Sequence, residues 1–403
     1  SSDLIVTALR QYSRFDYAMT FVAFLLFSLP IFWVAVLLKE YMAIQFNDFL
    51  HDPNTQAPAE IPVPLIIIFG LVAGLIMAGI IGGARKKFLM VFAGVAAGVS
   101  LLLWGLSATH WFVNPGLGII GVGVLAFGFA VVVTQISTGL DDRKSLISAL
   151  AAAAIVTAAY YPVQALMGPK ATFLTIVLIF VLTMVLSGLV GYFVEKIDRR
   201  IHIRGAMITA FLATLPIIFD RIMREFSGYM QSDAVNNRPI PTLGQGNDLL
   251  SEQQLGNYWV MSLDAMLHLV LPTIALTLIS FAGYVRFSRG SLLEVLNMDY
   301  IRTARAKGLT ERTVIVRHAM RNAMLPLTTI LVNDFAGVIG GAIITENIFG
   351  WRGMGTLLNR AIGTYDLNLL MGVSLVTVSI YLVLTIIIEF VYAALDPRIR
   401  IED

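Results

Sequence analysis

The residues best suited to chemistry lie in one stretch, DYIRTARAKGLTERTVIVRHAMRNAMLP, from Asp299 to Pro326. Between Arg286 and Arg321, eight lysines and arginines face three carboxylates, Glu294, Asp299 and Glu311. Cations at this density, placed after a long apolar run, suit docking against an acidic surface or anionic lipid. Catalysis is a poorer fit. His318 has no HxxxH or HExxH companion for metal binding, and the chain contains neither a GxxxxGK[ST] phosphate cradle nor any cysteine. No nucleic-acid module is recognisable, and the net charge of +2 gives no global case for RNA or DNA.

The elements that position this stretch are apolar. Of 403 residues, 57% are hydrophobic and 13% charged, and the mean hydropathy is +0.80, which places the chain with polytopic membrane proteins. About ten segments supply the roughly 20 apolar residues that a helical crossing needs. They centre within 19–38, 62–83, 88–107, 117–136, 146–167, 172–194, 205–224, 266–287, 323–345 and 367–392. The fold class expected is an all-α polytopic membrane protein.

Basic residues then set an orientation. Arg10 and Arg14, Arg85 to Lys87, Arg143 and Lys144, the Lys196–Arg204 cluster, the 299–326 stretch, and Arg398 and Arg400 all fall on one side if ten spans alternate. Short cytoplasmic loops retain such residues, so that side is expected to be the cytoplasm, with both termini there. Residues 47–62, 110–116 and 225–264 are the expected external loops, the last with a short helix near Asn257–Asp264. The first ten residues form no secretory signal.

Within 62–224, Gly70/Gly74, Gly79/Gly83 and Gly94/Gly98 have the GxxxG spacing that lets helix backbones approach closely in lipid. No ion or proton relay is evident there, and Asp220 and Arg221 read as an external boundary. Pro30 and Pro272 each remove a backbone donor inside an apolar run, which either bends the helix or simply completes its packing. In the basic stretch, Gly308 is suited to end a short helix in the left-handed state. Thr310 is then an N-cap with Glu311 in the next first turn, giving two short helices bent at the glycine.

At this point a resemblance enters. The 299–326 stretch resembles the EAA-type cytoplasmic loop of membrane-spanning subunits of binding-protein-dependent ABC importers, in its dipeptide/oligopeptide permease form. Counting back from Gly308 places Arg302 at the family's glutamate and Thr303 and Ala304 at its two small residues. The first two depart from the general form, whereas TARAKGL is similar to the peptide branch. Matches continue at His318, Arg321, Asn322, Leu325 and Pro326. GGAIITENIFGWRGMGTLLNRAIGTYD and VYAALDPRIR resemble later permease segments, and RQYSRFDYAMTFVAFLLFSLPIFWVAVLL resembles an earlier helix. The family pattern has a further span and external region upstream of Ser1.

The resemblance implies residues 1–50 as the first part of a permease-like core. Residues 51–235 then form an additional block of about six transmembrane helices, and 236–403 the external loop and main core, with a coupling segment at 297–326. Six inserted crossings preserve the sidedness of the core. It further implies a second homologous permease subunit, two ATP-binding subunits carrying ATP and magnesium, an external substrate-binding protein and a peptide substrate, in a bacterial cytoplasmic membrane. This chain would hold no cofactor and catalyse nothing. Arg302, Thr303, Ala304, Arg305, Lys307, Gly308, Arg312 and His318 would couple to the ATPases. Glu346, Trp351, Arg352 and Asp366 would form the external gate or touch the binding protein. Nickel or another small solute as cargo, ion-coupled secondary transport, a membrane scaffold and contact with membrane lipid remain open.

Overall fold

A computed structural model describes residues 14–51, 59–82, 84–194, 199–309 and 313–395. Thr310, Glu311, Arg312, Gly83, Lys196, Arg10, Arg398 and Arg400, named above, lie outside the described residues. Among the described residues every regular element is a helix and there is no strand. Seven helices are long and apolar enough to cross a membrane, and three bent pairs raise the number to ten. The protein is an all-α polytopic membrane protein.

The expected spans 19–38, 146–167 and 323–345 are the bent pairs. In the first, α1 (Arg14–Ser28) and α2 (Ile31–Leu38) meet at an extended Pro30 with ψ of 142°. Ile31–Leu50 turns 98° from Thr20–Ser28, running on through a π-helical turn at Lys39–Ile44. Pro272 follows the other alternative and sits inside an unbroken 39-residue helix. Residues Asn257–Asp264 likewise are no separate helix but the capped start of that one, where the Asn257 side chain accepts from Trp259 N at 3.0 Å.

The middle block comprises α3 (Val63–Ile81), α4 (Arg85–Ala108), α5 (Gly118–Ser137), α6 (Arg143–Ala158), α7 (Tyr160–Leu166), α8 (Phe173–Val194) and α9 (Arg199–Met223). α3 pairs with α4, while α9 packs along α5, α6 and α8. Alanines 126, 130, 149, 153, 210 and 213 fill this second group and are buried, which allows close helix approach. Of the two GxxxG pairs that lie wholly within the described residues, Gly70/Gly74 makes the expected close approach and Gly94/Gly98 does not. A Cβ on Gly74 would stand 2.7 Å from Phe92 O, whereas Gly79, Gly94 and Gly98 face open space. The closest approach missed from sequence is at Gly191, where a Cβ would stand 2.7 Å from His202 O.

Asp220 is fully buried and organises the end of this bundle. Its Oδ1 accepts from Leu117 N at 2.6 Å and Gly118 N at 3.0 Å, at the start of α5. Its Oδ2 accepts from Tyr160 OH at 2.6 Å, Gln164 Nε2 at 3.2 Å and Arg224 Nε at 3.1 Å. Arg221 instead pairs with Glu225 at 2.6 Å. Asp220 at this end of the bundle thus has a structural role: a buried carboxylate is tolerated because each oxygen is satisfied.

The remaining helices form a second body: α1, α2, α10 (Tyr258–Leu296), α11 (Asp299–Ala306), α12 (Met320–Gly341), α13 (Ile343–Phe349), α14 (Met354–Gly363) and α15 (Leu367–Leu395). α10 packs on α1, α2 and α12, and α12 on α15. Residues before and after the middle block close on one another directly. Asn47 Nδ2 donates to Ile240 O at 2.8 Å and Ile240 N donates to Asn47 Oδ1 at 3.0 Å. Asp48 pairs with Arg238, and Arg289 donates to Thr20 Oγ1 at 2.6 Å.

Candidate coupling element and external gate

α11 follows α10 after a break at Asn297–Met298, with Met298 in an extended conformation at ψ of 148°. Its inward face is Ile301 and Ala304, both buried against Leu292, Leu296, Val314, Ile315, Ala319 and Ala323. This small apolar cluster seats α11 on the end of α10 and the start of α12. The opposite face carries Arg302, Thr303, Arg305 and Lys307, all exposed. Arg302 lies 3.5 Å from Asp299, and both are solvent-facing, so that pair contributes little. Thr303 Oγ1 donates to Asp299 O at 3.0 Å.

The helix stops where glycine permits it. Lys307 N donates to Thr303 O and Gly308 N to Arg305 O, and Gly308 then takes φ of +77°, the left-handed state that costs other residues about 1–2 kcal/mol. Two expectations change. Ala304, named among the residues that would couple to the ATPases, is turned inward and packed in the chain's own cluster. The second short helix is not free-standing either: from Val314 the chain is already in a π turn, Val314–Ala319, that runs straight into α12. The buried Val314, Ile315 and Ala319 bind that turn to α11. His318 lies in it and is half-buried. Arg312 lies outside the described residues.

The gate candidates divide. Glu346 Oε1 accepts from Gly355 N at 3.2 Å and Oε2 from Thr356 N at 2.7 Å. Its carboxylate thus caps α14 at the end where helix amides and dipole favour an anion. Gly350 at φ of +67° ends α13, and Trp351 N returns to Glu346 O at 2.8 Å. Arg352 O accepts from Gln245 Nε2 at 3.1 Å, and Gly244 N donates to Phe349 O at 2.8 Å. Glu346, Trp351 and Arg352 therefore form one turn tied to residues 244–245. Asp366 is apart from it, exposed, with Oδ1 accepting from Leu369 N at 3.0 Å as the cap of α15.

Sequence reasoning missed Lys39. Its Nζ donates to Ile348 O and lies 5.3 Å from the Phe349 ring centroid, linking α2 to the end of α13. A lysine directly after an apolar run was the available signal.

Residues 205–401, a little under half of the chain, match the family described as "Binding-protein-dependent transport system inner membrane component". The match begins inside α9, a helix the sequence reading assigned to the additional block. Over 146 residues the chain is 40% identical to the oligopeptide transport system permease protein OppB of Mycobacterium tuberculosis (strain ATCC 25618 / H37Rv), covering 36% of this chain and 45% of that protein. Over 138 residues it is 44% identical to the dipeptide transport system permease protein DppB of Escherichia coli (strain K12), covering 34% and 41%. The chain spans less than half the length of these curated relatives.

Proposed function

We propose that this chain is a permease subunit of an ATP-driven dipeptide or oligopeptide importer in a bacterial cytoplasmic membrane. The observation that carries the reading is α11, a short helix seated by its apolar face on α10 and α12, with Arg302, Arg305 and Lys307 outward and Gly308 ending it. Such an element converts a push from a cytoplasmic partner into movement of both membrane helices, because its inner face is packed and not solvated. The partners are a second homologous permease subunit and two ATP-binding subunits, which hold ATP and magnesium. An external substrate-binding protein delivers the peptide. α11 and both ends of the chain then face the cytoplasm, and the Glu346–Arg352 turn faces outside. The names of the relatives support peptide as cargo. Residues 1–50 and 236–403 form the permease core in this reading, with 51–235 an added membrane block.

Co-purification with the two ATP-binding subunits tests the docking role. Wild-type chain should retain them, and Arg305→Glu should reduce retention at least tenfold while leaving the chain folded in the membrane. Equal retention by both forms would remove α11 as the docking element.

A further inference from the structure

A cavity of about 470 Å³ opens between residues 229–249 and the early turns of α10, within the roughly 300–1,000 Å³ range of small-molecule sites. It lies at the end of α10 opposite to α11, roughly 40 Å away along the helix axis. His268 lines it and is 6% exposed. Its Nδ1 stands 2.8 Å from the Asp264 carbonyl oxygen. A carbonyl only accepts, so Nδ1 carries the proton, and in the neutral ring Nε2 is left as a lone-pair acceptor. Among the described residues Nε2 has no hydrogen-bond partner.

The neighbouring polar groups are already used. Tyr229 OH donates to Asp264 Oδ1 at 2.6 Å, and Asn247 N to Asp264 Oδ2 at 3.0 Å. Asn247 spends its side chain on Ala234 O and Leu249 N. Pro239 and Pro241 bring no backbone donor to the wall. What remains is the imidazole lone pair, with the exposed Asp248 carboxylate at the rim. Of the charged side chains in the lining, Arg238 is offset by Asp48, which leaves the Asp248 carboxylate, while Asp264 stands behind His268 with its oxygens taken by Tyr229 and Asn247. An acceptor at the floor and negative charge around it select a cationic donor and disfavour a carboxylate.

We propose that this cavity is a subsite for a primary ammonium group, the α-ammonium of an incoming peptide, with His268 Nε2 accepting one N–H and Asp248 supplying counter-charge. The peptide part rests on the importer reading above. It places a cargo contact on the same helix that carries the coupling element at its far end.

Carbethoxylation by diethyl pyrocarbonate, read by peptide mass spectrometry on the full chain in nanodiscs without any binding protein, tests the site. His268 modification is scored relative to exposed His51 of the same molecule, which corrects for reagent consumed by free amine. His268 should react without ligand, millimolar Ala-Ala should slow it at least threefold, and N-acetyl-Ala-Ala should leave it unchanged. Asp248→Asn should weaken the protection. Equal protection by both peptides, protection by neither, or an unreactive His268 would overturn the subsite, whatever the transport result. Protection that persists in a complex unable to move peptide would overturn the importer reading and leave the subsite standing.

Discussion

Asn47 and Ile240 exchange two hydrogen bonds, side-chain amide to backbone in both directions, at 2.8 and 3.0 Å across the whole middle block. The membrane body made of α1, α2 and α10–α15 is therefore closed by direct contact, with the intervening helices attached beside the junction. Truncating Asn47 leaves an amide and a carbonyl of Ile240 without partners in a part-buried place, which costs about 1–3 kcal/mol. Asp48 and Arg238 beside it are 53% and 60% exposed, and such pairs contribute at most about 1 kcal/mol. Thermal unfolding in detergent should thus show a clearly larger fall in midpoint for Asn47→Ala than for Asp48→Asn. The reverse order would contradict the junction.

Gly308 allows a second test. At φ of +77°, valine meets the steric cost of the left-handed state with a β-branched side chain, while asparagine visits that state more readily. Among the described residues nothing lies within 4 Å of its Cβ position, so the substitution tests backbone conformation. Gly308→Val should lower ATP-dependent uptake by tenfold or more, or prevent assembly with the ATPases, and Gly308→Asn should stay within about twofold of wild type. Wild-type assembly and uptake in the valine variant would sink the proposed geometry.

Asp220 separates structural from transport roles. Replacement by asparagine puts an amide N–H₂ against donors on one side of the carboxylate, either Leu117 N and Gly118 N or Tyr160 OH and Gln164 Nε2. The expected destabilisation is about 3 kcal/mol, against about 1 kcal/mol for Tyr160→Phe, which removes one of the donors to Asp220 and the acceptor of the half-exposed Arg224. Unfolding followed by tryptophan fluorescence checks this ranking, and equal shifts would show that Asp220 is not the centre of the cluster.

The apolar runs announced the membrane helices because twenty consecutive apolar residues have few other solutions. Gly308 was legible for a related reason, since a glycine directly after a helical pattern has a specific backbone use. Breaks were less so. Pro30 and Pro272 occur in similar apolar surroundings, yet one ends a helix at a 98° turn and the other lies within a continuous one. Neighbouring helices decide which, and a local pattern holds no record of them. The same limit hid Asp220, whose donors come from positions 117, 118, 160, 164 and 224. It also hid the capping role of Glu346, for which the resemblance implied a gate or binding-protein contact and which the fold spends on two amides.

The most direct measurement is peptide uptake into proteoliposomes containing this chain, a second permease and both ATP-binding subunits, with the binding protein outside and ionophores present. Uptake that requires ATP on the ATPase side and continues with ion gradients collapsed is the expected result. Uptake that follows an ion gradient and ignores ATP would contradict the account.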